Sequence, residues 1–276
     1  MPRPTGPFAG DGAPHALLIA RPLAGVVGAA MLLAGAGLAA DAGFGVTRGM
    51  GHALASASVH AGLLGAGWVV ALDGDRAWRG PTLRGAGVLV LASLAAKVST
   101  AGALAYLFVP FVLAADAGRR RVCLARMGWH TPRESRAILT GAATGAFLGL
   151  HLLIAASRML GYAVSIPDGG RYVAAIAYDV GANGLTAEWF FRGVIFSTLW
   201  RRWSFWPAAA VSTGLALARY LLDPALPKAI EMMAGATFYL SLLGFACCAL
   251  RAWSGSLAPG YIATVAFFAA YRVLLV

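Results

Sequence analysis

Eight apolar runs, each near the roughly 20 residues that a bilayer crossing demands, recur along this chain. They centre on Pro22–Ala40, Ala53–Leu72, Ala86–Ala115, Ala137–Ala156, Tyr172–Leu199, Phe205–Leu222, Met232–Leu250 and Leu257–Val276. The third is long and carries Lys97 inside it, which predicts a tilt, a kink or a division into two pieces. A water-facing surface is excluded on charge. Only 12% of the 276 residues are charged and 59% are hydrophobic, whereas a soluble domain carries about 25% charged residues. The 35 glycines suit helices that pack closely through small residues in lipid. With no internal repeat and only short loops, the expected fold is an all-α, polytopic transmembrane helix bundle of about eight spans. It forms one membrane domain over 1–276, with N-terminal helices of unassigned role over 1–171 and a four-helix core over 172–276.

The formal charge of +11 would suggest nucleic acid in a soluble protein. Here the arginines concentrate in loops, without the aromatic interleaving of a nucleic-acid groove, so no nucleic-acid partner is expected. Arg119, Arg120, Arg121, Arg126, Arg133 and Arg136 face a single acid, Glu134, in one loop. The positive-inside rule makes the Arg119–Arg136 loop cytoplasmic. Arg201–Arg202 and then Arg251 follow at intervals of two spans and fall on the same side, so eight spans would leave both termini on the opposite face. The expected location is the plasma (inner) membrane, multi-pass, with the lipid bilayer as the first partner. Cys123, Cys247 and Cys248 show no CxxC spacing and read as packing or free thiols. No signal-peptide layout opens the chain and no CaaX box closes it.

Ionisable residues within spans carry the functional information, since each costs roughly 2.5–3.5 kcal/mol at mid-bilayer on the insertion scale. The candidates are Lys97, Asp179, Glu188, Arg192 and Arg219, with His60 and His151 weaker. Lys97 is expected to snorkel or to pair within the bundle. The two histidines are expected to be hydrogen-bonded or interfacial rather than metal ligands. Asp179, Asn183, Glu188 and Arg192 share the fifth span at i,i+4 spacings. They form a polar stripe that must face protein. Arg219 needs an acidic partner, for which Glu188 or Asp179 is the expectation. Arg272, near the outer end of the last span, reads as snorkelling. Trp189, Trp200, Trp203, Trp206 and Trp253 read as an interfacial belt.

Three blocks then resemble a known family. They are Thr186-Ala-Glu-Trp-Phe-Phe-Arg-Gly193, Val211-Ser-Thr-Gly-Leu-Ala-Leu-Ala-Arg219, and Ser254-Gly-Ser-Leu-Ala-Pro-Gly-Tyr-Ile-Ala-Thr264 running on to Phe268. In order, spacing and helical context they resemble the CPBP intramembrane proteases, the type II CAAX prenyl protease family. The resemblance implies a membrane-embedded site of two glutamates, two histidines and an asparagine, with one glutamate activating water, with or without a metal. Position by position, the first glutamate falls on Ala187 and the second is Glu188. The motif arginine is Arg192. The histidines fall on Arg219 and Thr264, the asparagine on Phe268 and the motif Phe on Leu215. Four of the five catalytic positions are therefore replaced, and all five histidines lie at or before His151.

Those replacements imply a pseudoprotease, a non-catalytic CPBP-fold protein acting as an accessory, scaffold or binding subunit of a membrane complex, with no catalytic residue and no metal or other cofactor expected. Glu188, Arg192 and Arg219 are expected to close an ion-pair network at the vestigial site. The alternatives are a divergent active endopeptidase with Glu188 as base and Arg219 at the oxyanion, and a transporter component using the stripe from Asp179 through Asn183 to Glu188.

Overall fold

The computed structural model describes residues 12–43, 49–72, 74–119, 128–129, 135–161, 163–164, 168–221 and 230–273. Among the described residues the architecture is helical, with no sheet. Helices α1 (Gly12–Gly43) and α2 (Met50–Ala71) come first. A 3-10 turn at Arg76–Trp78 leads into α3 (Arg79–Val98), and a second at Ala101–Leu107 runs into α4 (Phe108–Arg119). Helix α5 spans Arg136–Leu160. A single rod then runs through α6 (Gly169–Tyr178), a π-helical stretch (Asp179–Gly184), α7 (Leu185–Ala187), a second π stretch (Glu188–Phe196) and α8 (Ser197–Arg202). Helices α9 (Phe205–Leu221), α10 (Ile230–Ser254) and α11 (Ala258–Tyr271) complete it. The arginines from Arg120 to Arg133, with Glu134 and Cys123, lie outside the described residues.

Six helical stretches are long and apolar enough to cross a membrane: Ala20–Ala42, Met50–Ala71, Arg76–Val98, Ala101–Arg119, Arg136–Met159 and Met233–Ser254. The long third run is two of these. The break falls at Ser99, whose extended backbone (φ −154°, ψ 152°) ends α3. Its Oγ and its carbonyl both accept from the Gly102 N–H, each at 3.0 Å, and so start the next turn. Lys97 thus sits in the last turn of α3, exposed, rather than at mid-span. The rod, which carries Asp179, Glu188 and Arg192 within one span's length, is not among the six. Helix α11 is short for a crossing, at 14 residues.

Small residues bring these helices together. On α5, Gly141, Gly145 and Gly149 recur every fourth residue and share one face. A Cβ at any of them would strike the α11 backbone at Pro259, Ala263 or Phe267. Gly37 of α1 and Gly51 of α2 meet in the same way, each against the other's carbonyl. In lipid, where no hydrophobic effect drives helices together, close backbone approach supplies the dispersion contacts. The rod divides the interior. On one side Leu64, Trp68, Leu89, Tyr106 and Val109 pack on Ala182, Leu185 and Trp189 of the rod. A second cluster joins Leu148 and Leu152 of α5 to Leu243 and Cys247 of α10 and Phe267 of α11.

Trp189 therefore corrects the belt reading. It is 1% exposed and lies 5.3 Å from Trp68, over Gly67, where a Cβ would enter its indole ring. Its place midway along the rod puts it in the core. Trp203, Trp206 and Trp253, at helix ends, are exposed, while Trp200 is half-buried and stacked on Phe196.

Valine at Gly145 should cost about 1–3 kcal/mol through overpacking, read as a lowered Tm in detergent. Alanine at Gly87, which has open space around it and lies exposed on α3, should leave Tm unchanged or raise it. Equal Tm for the two variants would refute the close-contact role of the α5 stripe.

Candidate functional site

The rod carries the polar stripe through two π-helical turns. A π turn inserts an extra residue per turn and is common at functional sites. Asp179 and Asn183 lie in the first, Glu188 and Arg192 in the second, and all four are buried. The structure sorts them into two separate polar systems.

Asp179 anchors the first. It is fully buried, and Arg272 from the end of α11 donates to both its oxygens, Nε to Oδ2 and Nη2 to Oδ1, each at 2.9 Å. The Asn183 amide donates to Asp179 Oδ1 at 3.1 Å, and its own Oδ1 accepts from Arg219 Nη1 at 2.8 Å. Arg219 Nη2 lies 3.1 Å from His60 Nε2. An arginine cannot accept, so this contact makes Nε2 the acceptor. Nδ1 then carries the proton and donates to Thr186 Oγ1 at 2.7 Å. The Tyr178 hydroxyl, 2.8 Å from the same Nε2, completes the chain.

Glu188 anchors the second system on the other side of the rod. Its Oε1 accepts from the Thr264 hydroxyl at 3.2 Å and lies 3.6 Å from Arg192 Nη1. Its Oε2 has no hydrogen-bond partner among the described residues and lies against Gly260, where a Cβ would approach to 2.7 Å. Behind it, the Cys247 thiol is 3.7 Å from Thr264 Oγ1. Cys247 and Cys248 are free and buried.

This arrangement overturns the expected network of Glu188, Arg192 and Arg219. Arg219 pairs with no carboxylate among the described residues; its partners are Asn183 and His60. Asp179 is taken by Arg272, and Glu188 faces α11 while Arg219 reaches toward α2. Nor does Arg272 snorkel. The signal for that pair was the count of charges within the spans. Asp179 and Glu188 stand against Arg192, Arg219 and Arg272, so an acid in lipid had more than one cation to claim. His60 is hydrogen-bonded within the bundle, and the half-solvated His151 bonds the Tyr239 hydroxyl at 2.6 Å.

The four replaced positions nonetheless meet. Ala187, Arg219, Thr264 and Phe268 line one cavity of about 50 Å³, together with Asn183 and Arg192. Glu188 is not in its wall, because Thr264 stands between its carboxylate and the cavity. A space this small holds a water or two rather than a peptide. Its chemistry is that of two guanidiniums, several hydroxyls, an amide and apolar groups. A divalent metal does not fit this donor set. Three N or O ligands are needed, whereas the cavity offers a guanidinium where an imidazole would ligate. Among the described residues no three His, Cys, Asp or Glu side chains converge.

Residues 170–269 match the family described as type II CAAX prenyl endopeptidase Rce1-like. The C-terminal part of the chain is thus similar to the family that the three motif blocks resemble. No curated protein and no solved structure matches the chain.

The Asp179–Arg272 pair generates a test. Asp179→Asn should cost about 3–5 kcal/mol, because it strands a charge; Arg272 is one-third exposed, which favours the lower end. The double replacement Asp179→Leu with Arg272→Leu should lie closer to wild type in Tm than either single variant. Additive single effects would mean that the pair is not coupled.

Proposed function

We propose that this is a non-catalytic membrane protein of the CAAX protease-like fold, acting as an accessory or binding subunit of a membrane complex. One observation carries the reading. Where the family's resemblance requires a glutamate, two histidines and an asparagine, the cavity presents Ala187, Arg219, Thr264 and Phe268. Peptide hydrolysis needs a base with access to water and a group that stabilises the oxyanion. Glu188 is sealed against α11 by Thr264 and Gly260. Of the replacements able to donate to an oxyanion, Arg219 spends two of its nitrogens on Asn183 and His60, and the Thr264 hydroxyl donates to Glu188. The same contacts weigh against a transport path along the stripe, since Asp179 is fully buried and held at both oxygens by Arg272.

For topology, we place the arginine-rich loop between α4 and α5 on the cytoplasmic side of a plasma (inner) membrane. Counting α3 and α4 as two crossings shifts the parity of the N-terminal half. The N-terminus then falls on the cytoplasmic side, not opposite it.

The test is a cleavage assay on a prenylated CAAX peptide with the purified full chain in mild detergent. Turnover should not exceed that of Glu188→Gln, and the native preparation should carry a stoichiometric membrane-protein partner. Cleavage that Glu188→Gln abolishes would overturn the reading and revive the endopeptidase.

A further inference from the structure

A second, larger hollow lies on the other side of Arg219. It has a volume of about 450 Å³, within the range of roughly 300–1,000 Å³ typical of small-molecule sites. Its walls are the facing sides of α1 and α2, from Val27 to Leu38 and from Ala55 to Ala66, with Phe190 of the rod. All of this is apolar except Ser56 and, at one place, Arg219. Met31, Val27 and Val59 on its rim are exposed, so the hollow opens laterally toward the membrane interior.

Arg219 is the unusual wall. Its guanidinium carries a formal positive charge. Its partners Asn183 and His60 Nε2 are hydrogen-bond acceptors without a formal negative charge, and its buried Nε has no partner among the described residues. By contrast, Arg192 and Arg272 each stand against a buried carboxylate. A cation within lipid that meets no carboxylate among the described residues is costly, and an anion brought to it recovers much of that cost. A planar guanidinium matches a carboxylate fork. A carboxylate is also small enough to sink below the headgroup layer, and a long alkyl chain suits an apolar, laterally open trough.

We propose that the trough between α1 and α2 binds a long-chain carboxylate, its alkyl chain along the two helices and its headgroup on Arg219. The site draws on α1 and α2, which lie outside the matched 170–269 segment. It stands whether or not the neighbouring cavity is catalytic. The ligand lies on the α2 side of Arg219 and would neutralise the cation that Asn183 and His60 only orient.

The experiment uses the full chain in nanodiscs of phosphatidylcholine, titrated with palmitate and, separately, with methyl palmitate. Palmitate should raise Tm by roughly 5–10 °C at a hundredfold excess over its dissociation constant, and the ester should not. Arg219→Gln should abolish the shift. So should Ala34→Phe, which fills the trough and leaves Arg219 untouched. Equal shifts from acid and ester would show an unselective lipid-filled groove. A shift from phosphatidylglycerol in place of palmitate would assign the site to a phospholipid. Absence of any shift, or its persistence in Ala34→Phe, would equally overturn the proposal.

Discussion

In a bilayer, a polar side chain has only protein to bond with, and the rod from Gly169 to Arg202 carries Asp179, Asn183, Thr186, Glu188 and Arg192 buried through the protein's centre. That constraint organises the C-terminal helices. Asp179 must meet a cation, so the end of α11 is drawn against the first π turn through Arg272. Glu188 must meet donors, so the middle of α11 presents Thr264 and the second π turn presents Arg192. Helix α11 is thus pinned to the rod at two depths, and it can approach α5 closely only because Gly141, Gly145 and Gly149 carry no side chains. Pairing fixes which faces meet, while small residues set how near. Buried pairs of this kind are weak evidence for added stability, because desolvation offsets much of the attraction. Their stronger effect is on register. Sliding α11 by one turn along the rod would take Arg272 away from Asp179 and Thr264 away from Glu188.

How far this was legible in the sequence differs from residue to residue. Periodic apolar runs and low charge point to a polytopic helical bundle, and spacing alone puts Asp179, Asn183, Glu188 and Arg192 on one helix. The motif blocks bring Ala187, Arg219, Thr264 and Phe268 to a common place although they come from three separate segments. What sequence spacing could not supply is the choice among partners. Arg219 and Arg272 are both arginines near the end of an apolar run, and only the facing of helices decides which of them reaches Asp179. Trp189 misleads for a related reason. Aromatic residues near charged ones look interfacial, but a π-helical rod in the protein centre places both types in the core. The break at Ser99 was open in the sequence, because Lys97 inside a long apolar run reads equally well as a tilt, a kink or a division into two pieces. The Ser99 side chain settles that choice by bonding the Gly102 N–H.

Arginine at position 219 also changes what the surrounding residues can be. An imidazole at this place could accept or donate, whereas a guanidinium only donates. Every neighbour within reach must then offer an acceptor, and the neighbours do. Asn183 turns its carbonyl oxygen to Arg219 and its amide to Asp179. His60 presents an unprotonated Nε2, and its opposite ring nitrogen, Nδ1, donates to Thr186 Oγ1. The donor sense runs outward from Arg219 in both directions until it reaches Asp179 on one side and Thr186 on the other. A histidine could not impose that order, because either ring nitrogen can carry its proton. The first π turn and the arginine are therefore parts of one arrangement. The first turn brings Asn183 to the face where a donor-only group can use it, Thr186 of α7 fixes the His60 ring nitrogen that group meets, and the group leaves no base inside the cavity that its side chain walls.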